Sequence, residues 1–118
     1  MSEKDTVSAM GCPYEIGGLW VEADGNCSGT LWKIEFQGKV PTLSAQVECK
    51  NGYRGTWKAR NVVWEDQCQL RYQIVHQCTV CKGLAEGRTE SHSLKFLNRD
   101  SAVLTLDNGT EIRLGHPA

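Results

Sequence analysis

Residues 68–78, CQLRYQIVHQC, decide the fold, because apolar and polar positions alternate along them. One face of the alternation carries Cys68, Leu70, Tyr72, Ile74, His76 and Cys78. The other face carries Gln69, Arg71, Gln73 and Gln77, and Val75 breaks the pattern. A period of two residues is typical of a β-strand with one face against the core. This stretch therefore predicts a long, half-buried strand.

The same period recurs on both sides of this strand, and Asn, Asp and Gly mark turns between the runs. We predict strands near 16–22, 30–37, 42–49, 53–60, 68–78, 92–97, 101–106 and 110–114. Short connections favour antiparallel pairing of successive strands, and closure of such a sheet removes its exposed edges. The sequence therefore predicts an all-β fold, a single antiparallel meander of about eight strands closing into a barrel.

Length and composition limit the class of protein. The 118 residues predict a single β-barrel domain over 1–118, with an irregular N-terminal segment over 1–14. The net charge of −1 indicates no strongly charged partner. No apolar run approaches the ~18 residues that a membrane helix needs, and the polar N-terminus lacks the apolar core of a signal peptide. We therefore expect a cytoplasmic chain, or a secreted one if its six cysteines are paired.

The sequence GGLW, residues 17–20, resembles the Gly-x-Trp signature on the first strand of calycins, the lipocalin-like and avidin-like barrels. Calycins also place an arginine on the last strand, packed across that tryptophan at the closed end of the barrel. Arg113 lies in the last predicted strand, where that arginine would be. The resemblance implies a calycin-like barrel in which Arg113 packs across Trp20.

The predicted interior is rich in aromatic side chains, and small barrels either fill with side chains or hold one small ligand. Aromatic rings would supply contact area, and hydroxyl or imidazole groups would orient a ligand. The predicted ligand-binding residues are Trp32, Phe36, Tyr53, Trp57, Tyr72 and His76. The leading hypothesis is a non-enzymatic protein that binds a small, mostly apolar molecule inside the barrel. A filled-core barrel acting through protein–protein contacts is an open alternative. The sequence does not determine the oligomeric state.

Chemistry-bearing motifs are few. No nucleophile-elbow, phosphate-loop or His-Glu-x-x-His motif is present, so no catalytic residue is predicted. Cys78 and Cys81 form a CxxC pair, which is half of a structural zinc site. No other cofactor is predicted from the sequence. No second close pair exists in sequence, although Cys49, Cys68 and Cys78 could converge on the inward face. Disulfides and inert buried thiols are the other interpretations of these cysteines.

Residues 50–60, KNGYRGTWKAR, carry four basic residues and no acidic one. Cations mixed with stacking aromatics are typical of proteins that bind single-stranded nucleic acid. Here Tyr53 and Trp57 fall on the strand face opposite the basic side chains, which separates stacking from charge. Nucleic-acid binding is therefore a lesser alternative. The favoured partner is a small apolar molecule, and no membrane contact is expected.

Overall fold

The computed structural model describes residues 12–36, 39–82 and 89–116. Within these ranges the strands are β1 (Gly18–Glu22), β2 (Leu31–Phe36), β3 (Pro41–Glu48), β4 (Arg54–Asp66), β5 (Gln69–Val80), β6 (Thr89–Asn98), β7 (Ser101–Leu106) and β8 (Glu111–Gly115). Each strand pairs antiparallel with the next, and β1 pairs with β8 to close the barrel. The predicted all-β meander is confirmed. Residues 1–11 of the predicted irregular segment lie outside the described residues, and residues 12–14 carry no strand.

Strand β4 is longer than predicted, because a β-bulge changes the phase of its alternation. The pairing register with β5 shifts between Arg60 and Val63, and Asn61 adopts a positive φ of 55°. Odd-numbered residues such as Trp57 point inward before the bulge, whereas Trp64 packs against the core after it. Trp64, which lies between the strands predicted near 53–60 and 68–78, therefore belongs to β4. Its indole N–H donates to the Lys39 carbonyl at 2.9 Å. A bulge adds one unpaired residue, which a strict period of two cannot anticipate.

Large apolar side chains from all eight strands pack into one core, as the alternation predicts. Those with almost no exposed surface are Trp20, Trp32, Ile34, Leu43, Leu70, Tyr72, Ile74, Leu94, Phe96 and Leu104. Ile16, which precedes β1, covers the core at the end of the barrel where β1 begins, and its carbonyl accepts the Trp20 indole N–H at 2.9 Å. We call this the N-terminal end of the barrel.

The position expected for Arg113 is wrong. Leu114 is buried in β8, so alternation turns Arg113 outward, and its side chain is 75% exposed. The guanidinium pairs with Asp24 at 3.0 Å and does not pack across Trp20. Instead, the rings of Phe96 and His116 contact Trp20, with centroids 5.5 Å and 4.2 Å away. The barrel thus has a buried tryptophan on its first strand, without the arginine packed across it that the resemblance implied.

All six cysteines are paired in three disulfides, Cys12–Cys68, Cys27–Cys49 and Cys78–Cys81. The first ties the segment before β1 to the β4–β5 turn, and the second ties the β1–β2 connection to the end of β3. Disulfides persist in oxidising surroundings, so the pairing weighs against the cytoplasmic expectation and meets the condition set for a secreted chain. The described residues include no helix with the length and apolar character needed to cross a membrane.

Candidate functional site at the polar end of the barrel

Five of the six residues predicted to bind a ligand share the interior toward one end of the barrel. This end, where β1 finishes, also holds Glu22, Glu90 and His92, and we call it the polar end. Trp32, Tyr53, Trp57 and Tyr72 are at most 3% exposed, and the His76 side chain is 14% exposed. The structure therefore brings together most of the predicted site.

Phe36 does not join this group, and its assignment to the interior is wrong. It is the last residue of β2, pairs with Pro41 at the N-terminal end of the barrel, and is 46% exposed. The alternation of β2 carries it toward the core side, but the strand ends there and no wall encloses the ring. Its Cδ2 atom lies 3.5 Å from the place of an added Cβ at Gly17, which is an ordinary contact distance.

Aromatic rings form the floor of the site. Trp32 meets the edge of Trp57 with centroids 4.7 Å apart, and Trp57 stacks on Tyr72 at 6.1 Å. The His92 ring is edge-on to both Trp57 and Tyr72, at 6.1 Å and 5.7 Å. Edge-to-face and offset contacts of this kind add stability beyond the buried area. The rings are therefore held in place by one another as well as by their strands.

A chain of hydrogen bonds lines the rim of the site. The Tyr53 hydroxyl is 3.4 Å from Nδ1 of His76, whose Nε2 is 3.0 Å from Glu90 Oε2. The other Glu90 oxygen, Oε1, is 3.1 Å from Nε2 of His92. Hydrogen bonds from His76, then from His92, hold the pKa of Glu90 well below its usual range. Glu90 is therefore a carboxylate that accepts a hydrogen bond from each imidazole.

Gly55 makes this arrangement possible by having no side chain. It points inward beside a register shift in β4, and an added Cβ would lie 2.8 Å from the Gln77 carbonyl oxygen and 2.9 Å from the Tyr53 hydroxyl. Real Cβ atoms essentially never come that close, so the Tyr53 hydroxyl occupies space that any other residue at position 55 would take.

We expect Gly55→Ala to destabilise the fold by about 2 kcal/mol, since an overpacked core forces backbone or side chains to move. Urea denaturation would measure the change. Gly17→Ala is the matched control, because its added methyl would meet only ordinary contacts from 3.5 Å outward. Equal midpoints for Gly55→Ala and the wild-type protein would contradict the close packing described for Tyr53.

Glu22, on β1, contributes a second, buried carboxyl group to the polar end. It is 7% exposed, and its Oε2 accepts the indole N–H of Trp32 at 2.8 Å. Burial raises the pKa of Glu22 to about 7, and the hydrogen bond from Trp32 only partly offsets this. Burial, and then the charge of Glu22, raise the pKa of Tyr72 well above its ordinary value. The phenol therefore stays a neutral hydroxyl at physiological pH.

Two polar atoms of the site are buried and have no hydrogen-bond partner among the described residues. They are the Tyr72 hydroxyl oxygen and Nδ1 of His92. Their residues are 1% and 5% exposed, and their rings are 5.7 Å apart. Buried polar atoms are almost always paired, because an unpaired one costs roughly 1–3 kcal/mol. The pair marks a place where a bound molecule would find two ready hydrogen-bonding groups.

Glu22, Glu90 and His92 were absent from the predicted binding residues, although the sequence carries a signal for each. Glu22 follows Trp20 at the strand period, and Glu90 and His92 precede Leu94 and Phe96 at the same period. Each of the three thus falls on the inward face of its strand. That signal identifies the face but not the partner, because the contacts of Glu22 with Trp32 and of Glu90 with His76 depend on the registers of β1 with β2 and of β5 with β6.

The zinc hypothesis for Cys78 and Cys81 is not supported. Their sulfurs are joined to each other, so neither is a free thiolate ligand, and the described residues contain no group of three or more suited to a metal ion. Cys49 and Cys68 do not converge with them, since each is joined to a different cysteine. Cys78 sits opposite Gly55, so this disulfide closes the β5 end of the site.

The basic side of β4 faces outward, as predicted. Arg54, Lys58 and Arg60 are exposed, whereas Tyr53 and Trp57 are 2% and 3% exposed and cannot stack on bases. A cleft of about 600 Å³ runs over this outer side, with Lys33 and Lys58 on either side of Ser44. The exposed face of β4 thus carries basic side chains but no aromatic ring on which a base could stack.

Comparison of the chain with known protein families, with curated proteins and with solved structures finds no match.

Proposed function

We propose that this protein is a non-enzymatic binding protein that holds one small molecule at the polar end of a calycin-like barrel. The observation that carries the proposal is the unpartnered pair formed by the Tyr72 hydroxyl and His92 Nδ1, buried beside Trp57. Binding sites combine a mostly apolar wall with a few convergent polar groups, and this cluster has that composition. The apolar body of the ligand would contact Trp57 and Trp32, as the aromatic lining favours.

The approach to the site would pass the rim formed by Tyr53, His76 and Glu90. The side chains of His76 and Glu90 are 14% and 15% exposed, against 4% for His92. A molecule entering there would meet the rim first and the unpartnered atoms next. The proposal assigns these residues to binding because their hydrogen bonds orient one another, and it gives no bond-making role to any of them.

We also propose an oxidising location, outside the cytoplasm, for the mature protein. The support is the pairing of all six cysteines, two of the disulfides spanning sequence separations of 56 and 22 residues. Cytosolic reductants keep most thiols reduced, so three disulfides in one small domain are typical of secreted and surface proteins.

Tyr72→Phe separates a binding role from a structural one. A hydroxyl that stabilises the fold costs about 1 kcal/mol when removed, whereas an unpaired buried hydroxyl costs nothing to remove. We expect Tyr72→Phe to leave the free energy of unfolding unchanged or to raise it by up to about 1 kcal/mol, measured by urea denaturation. Tyr14→Phe, at a position 39% exposed, is the matched control.

The same variant reports on function. Native mass spectrometry of the protein purified from its source would show any co-purified small molecule as an adduct lost on denaturation. We expect the wild-type protein to carry such an adduct and Tyr72→Phe to carry less of it. A Tyr72→Phe protein that is less stable by 1 kcal/mol or more, with its adduct unchanged, would show that the hydroxyl serves the fold and would contradict the proposal.

A second candidate function follows from the outer cleft over β1 to β5. Its floor is made of short polar side chains, and Leu19 and Leu31 at one side are 52% and 42% exposed. A barrel filled by its own side chains would act through such a surface, by contact with another protein. Lys58→Glu in the cleft would weaken that contact and leave ligand binding at the polar end intact, so pull-down and adduct measurements on this variant discriminate the two functions.

A further inference from the structure

The hydrogen bonds of Glu90 select one tautomer for each histidine at the polar end. A carboxylate only accepts hydrogen bonds, so Nε2 of His76 and Nε2 of His92 must each carry a proton where they meet Oε2 and Oε1. In the neutral ring with a proton on Nε2, the other nitrogen holds a lone pair. The Tyr53 hydroxyl faces that lone pair on His76 at 3.4 Å and can donate to it.

A neutral His92 has the same tautomer, and its Nδ1 has no such donor among the described residues. In that tautomer Nδ1 is a buried hydrogen-bond acceptor without a partner, on a ring that lies edge-on to Trp57 and Tyr72. The Tyr72 hydroxyl, also unpartnered, can both donate and accept. The two groups together would suit a ligand that donates a hydrogen bond to Nδ1 of His92 and accepts one from the Tyr72 hydroxyl.

We propose that the ligand presents an O–H or N–H donor to Nδ1 of His92, with a hydroxyl favoured because its oxygen also accepts from Tyr72. This inference rests on the proposed function and adds the polar group of the ligand to it. The Trp57 ring contacts the rings of both Tyr72 and His92, and Trp32 contacts Trp57, so a flat, apolar body carrying the donor would find aromatic surface there. The chemical class is an aromatic or cyclic alcohol, or the corresponding amine.

Three probes of the same size test the donor requirement: phenol, aniline and anisole. Phenol both donates and accepts, aniline mainly donates, and anisole cannot donate. Titration of the full-length protein, followed by tryptophan fluorescence and by ¹⁵N chemical shifts of the histidine rings, gives a Kd for each. We expect phenol to bind about tenfold more tightly than anisole, with aniline between them, since an unmet buried acceptor costs that much binding.

The His92 resonances supply a readout that does not depend on affinity. The free protein should show the neutral tautomer protonated at Nε2, and phenol should shift Nδ1 while leaving His116, at the other end of the barrel, unchanged. His92→Gln keeps an N–H group for Glu90 and removes the Nδ1 acceptor. We expect His92→Gln to weaken phenol binding about tenfold and to leave the Kd of anisole unchanged. Tyr14→Phe should change neither Kd.

The outcomes separate the inference from the proposed function. Equal Kd values for the three probes, unaltered in His92→Gln, would overturn the donor requirement and leave a ligand-binding barrel. A His92 ring protonated at Nδ1 in the free protein would overturn the tautomer argument whatever the affinities are. Failure of all three probes to bind would also overturn the inference. The proposed function would then be tested by the free energy of unfolding of Tyr72→Phe and by its co-purified adduct.

Discussion

Replacing both Cys12 and Cys68 with alanine should cost about 4 kcal/mol of unfolding free energy, the largest effect expected of the three disulfides. The bridge spans a sequence separation of 56 residues, and closing a long loop removes more conformational entropy from the unfolded chain than closing a short one. It also holds the segment that carries Ile16 against the Trp20 end of the core. A domain of this size has only about 6 to 18 kcal/mol in total, so the loss is a large share.

The other two bridges serve as graded controls, measured by urea denaturation of the oxidised proteins. Cys27–Cys49 spans a separation of 22 residues and should cost about 3 kcal/mol, while Cys78–Cys81 spans 3 and should cost least. Dithiothreitol should lower the Tm of the wild-type protein. Stability losses in the reverse order, or a Tm that reductant does not change, would contradict the disulfide framework and the oxidising location drawn from it.

Glu22→Gln should stabilise the protein at pH 8 by about 3 kcal/mol and change little at pH 4. In the folded protein the pKa of Glu22 is about 7, against 4.5 for an ordinary glutamate, because burial disfavours the charged form. Each tenfold difference in proton affinity is worth about 1.4 kcal/mol, and the change from 4.5 to about 7 gives about 3 kcal/mol. Glutamine keeps an acceptor for the Trp32 indole and carries no charge.

The direction with pH follows from where the proton is bound. Between pH 4.5 and about 7 the folded state holds the Glu22 proton and the unfolded state does not, so stability falls as pH rises through this range. Below it both states are protonated, and above it both are ionised with the full cost present. Urea denaturation of Glu22→Gln and wild-type protein at pH 4, 6 and 8 measures this, with the exposed Glu111→Gln as control. A Glu22→Gln effect that is the same at all three pH values would contradict it.

The barrel could be predicted from sequence because most of its strands keep a strict period of two. Residues 68–78 show this directly: Leu70, Tyr72 and Ile74 are all buried, and Arg71 between them is exposed. Turn residues then separated the strands closely enough to give their number and order. The β4 bulge at Asn61 escaped prediction because one added residue shifts the phase, and the chain before and after it reads as two unrelated patterns.

The candidate site was predicted only in part, for a reason of geometry. Alternation shows that Tyr72 and His76 point inward, and the meander pairs β5 with β6. The contact of His76 with Glu90 depends on the register of that pair and on β6 beginning at Thr89, before the strand predicted near 92–97. Arg113 shows the opposite error. The alternation of β8 places Leu114 inside and Arg113 outside, so the strand pattern predicts the position of Arg113 and the family resemblance does not.

The cysteines show why a motif needs its context. CxxC at positions 78 and 81 was compatible with zinc, a disulfide or free thiols, and the sequence offered no second pair to decide among them. The folded barrel brings Cys12 to Cys68 and Cys27 to Cys49, which leaves Cys78 and Cys81 to pair with each other. Pairing across such separations depends on the three-dimensional fold. The sequence alone therefore shows that the number of cysteines is even, but not which cysteines pair.

A crystal structure of the protein soaked with phenol tests the central claim most directly, because it examines the two unpartnered atoms themselves. We predict electron density for a phenol molecule with its oxygen within hydrogen-bond distance of both His92 Nδ1 and the Tyr72 hydroxyl, and with its ring against Trp57. The contrary result is a barrel in which these two atoms are hydrogen-bonded within the protein and the side chains around Trp57 leave no room for a ring. That structure would show a filled core and move the function to the outer surface.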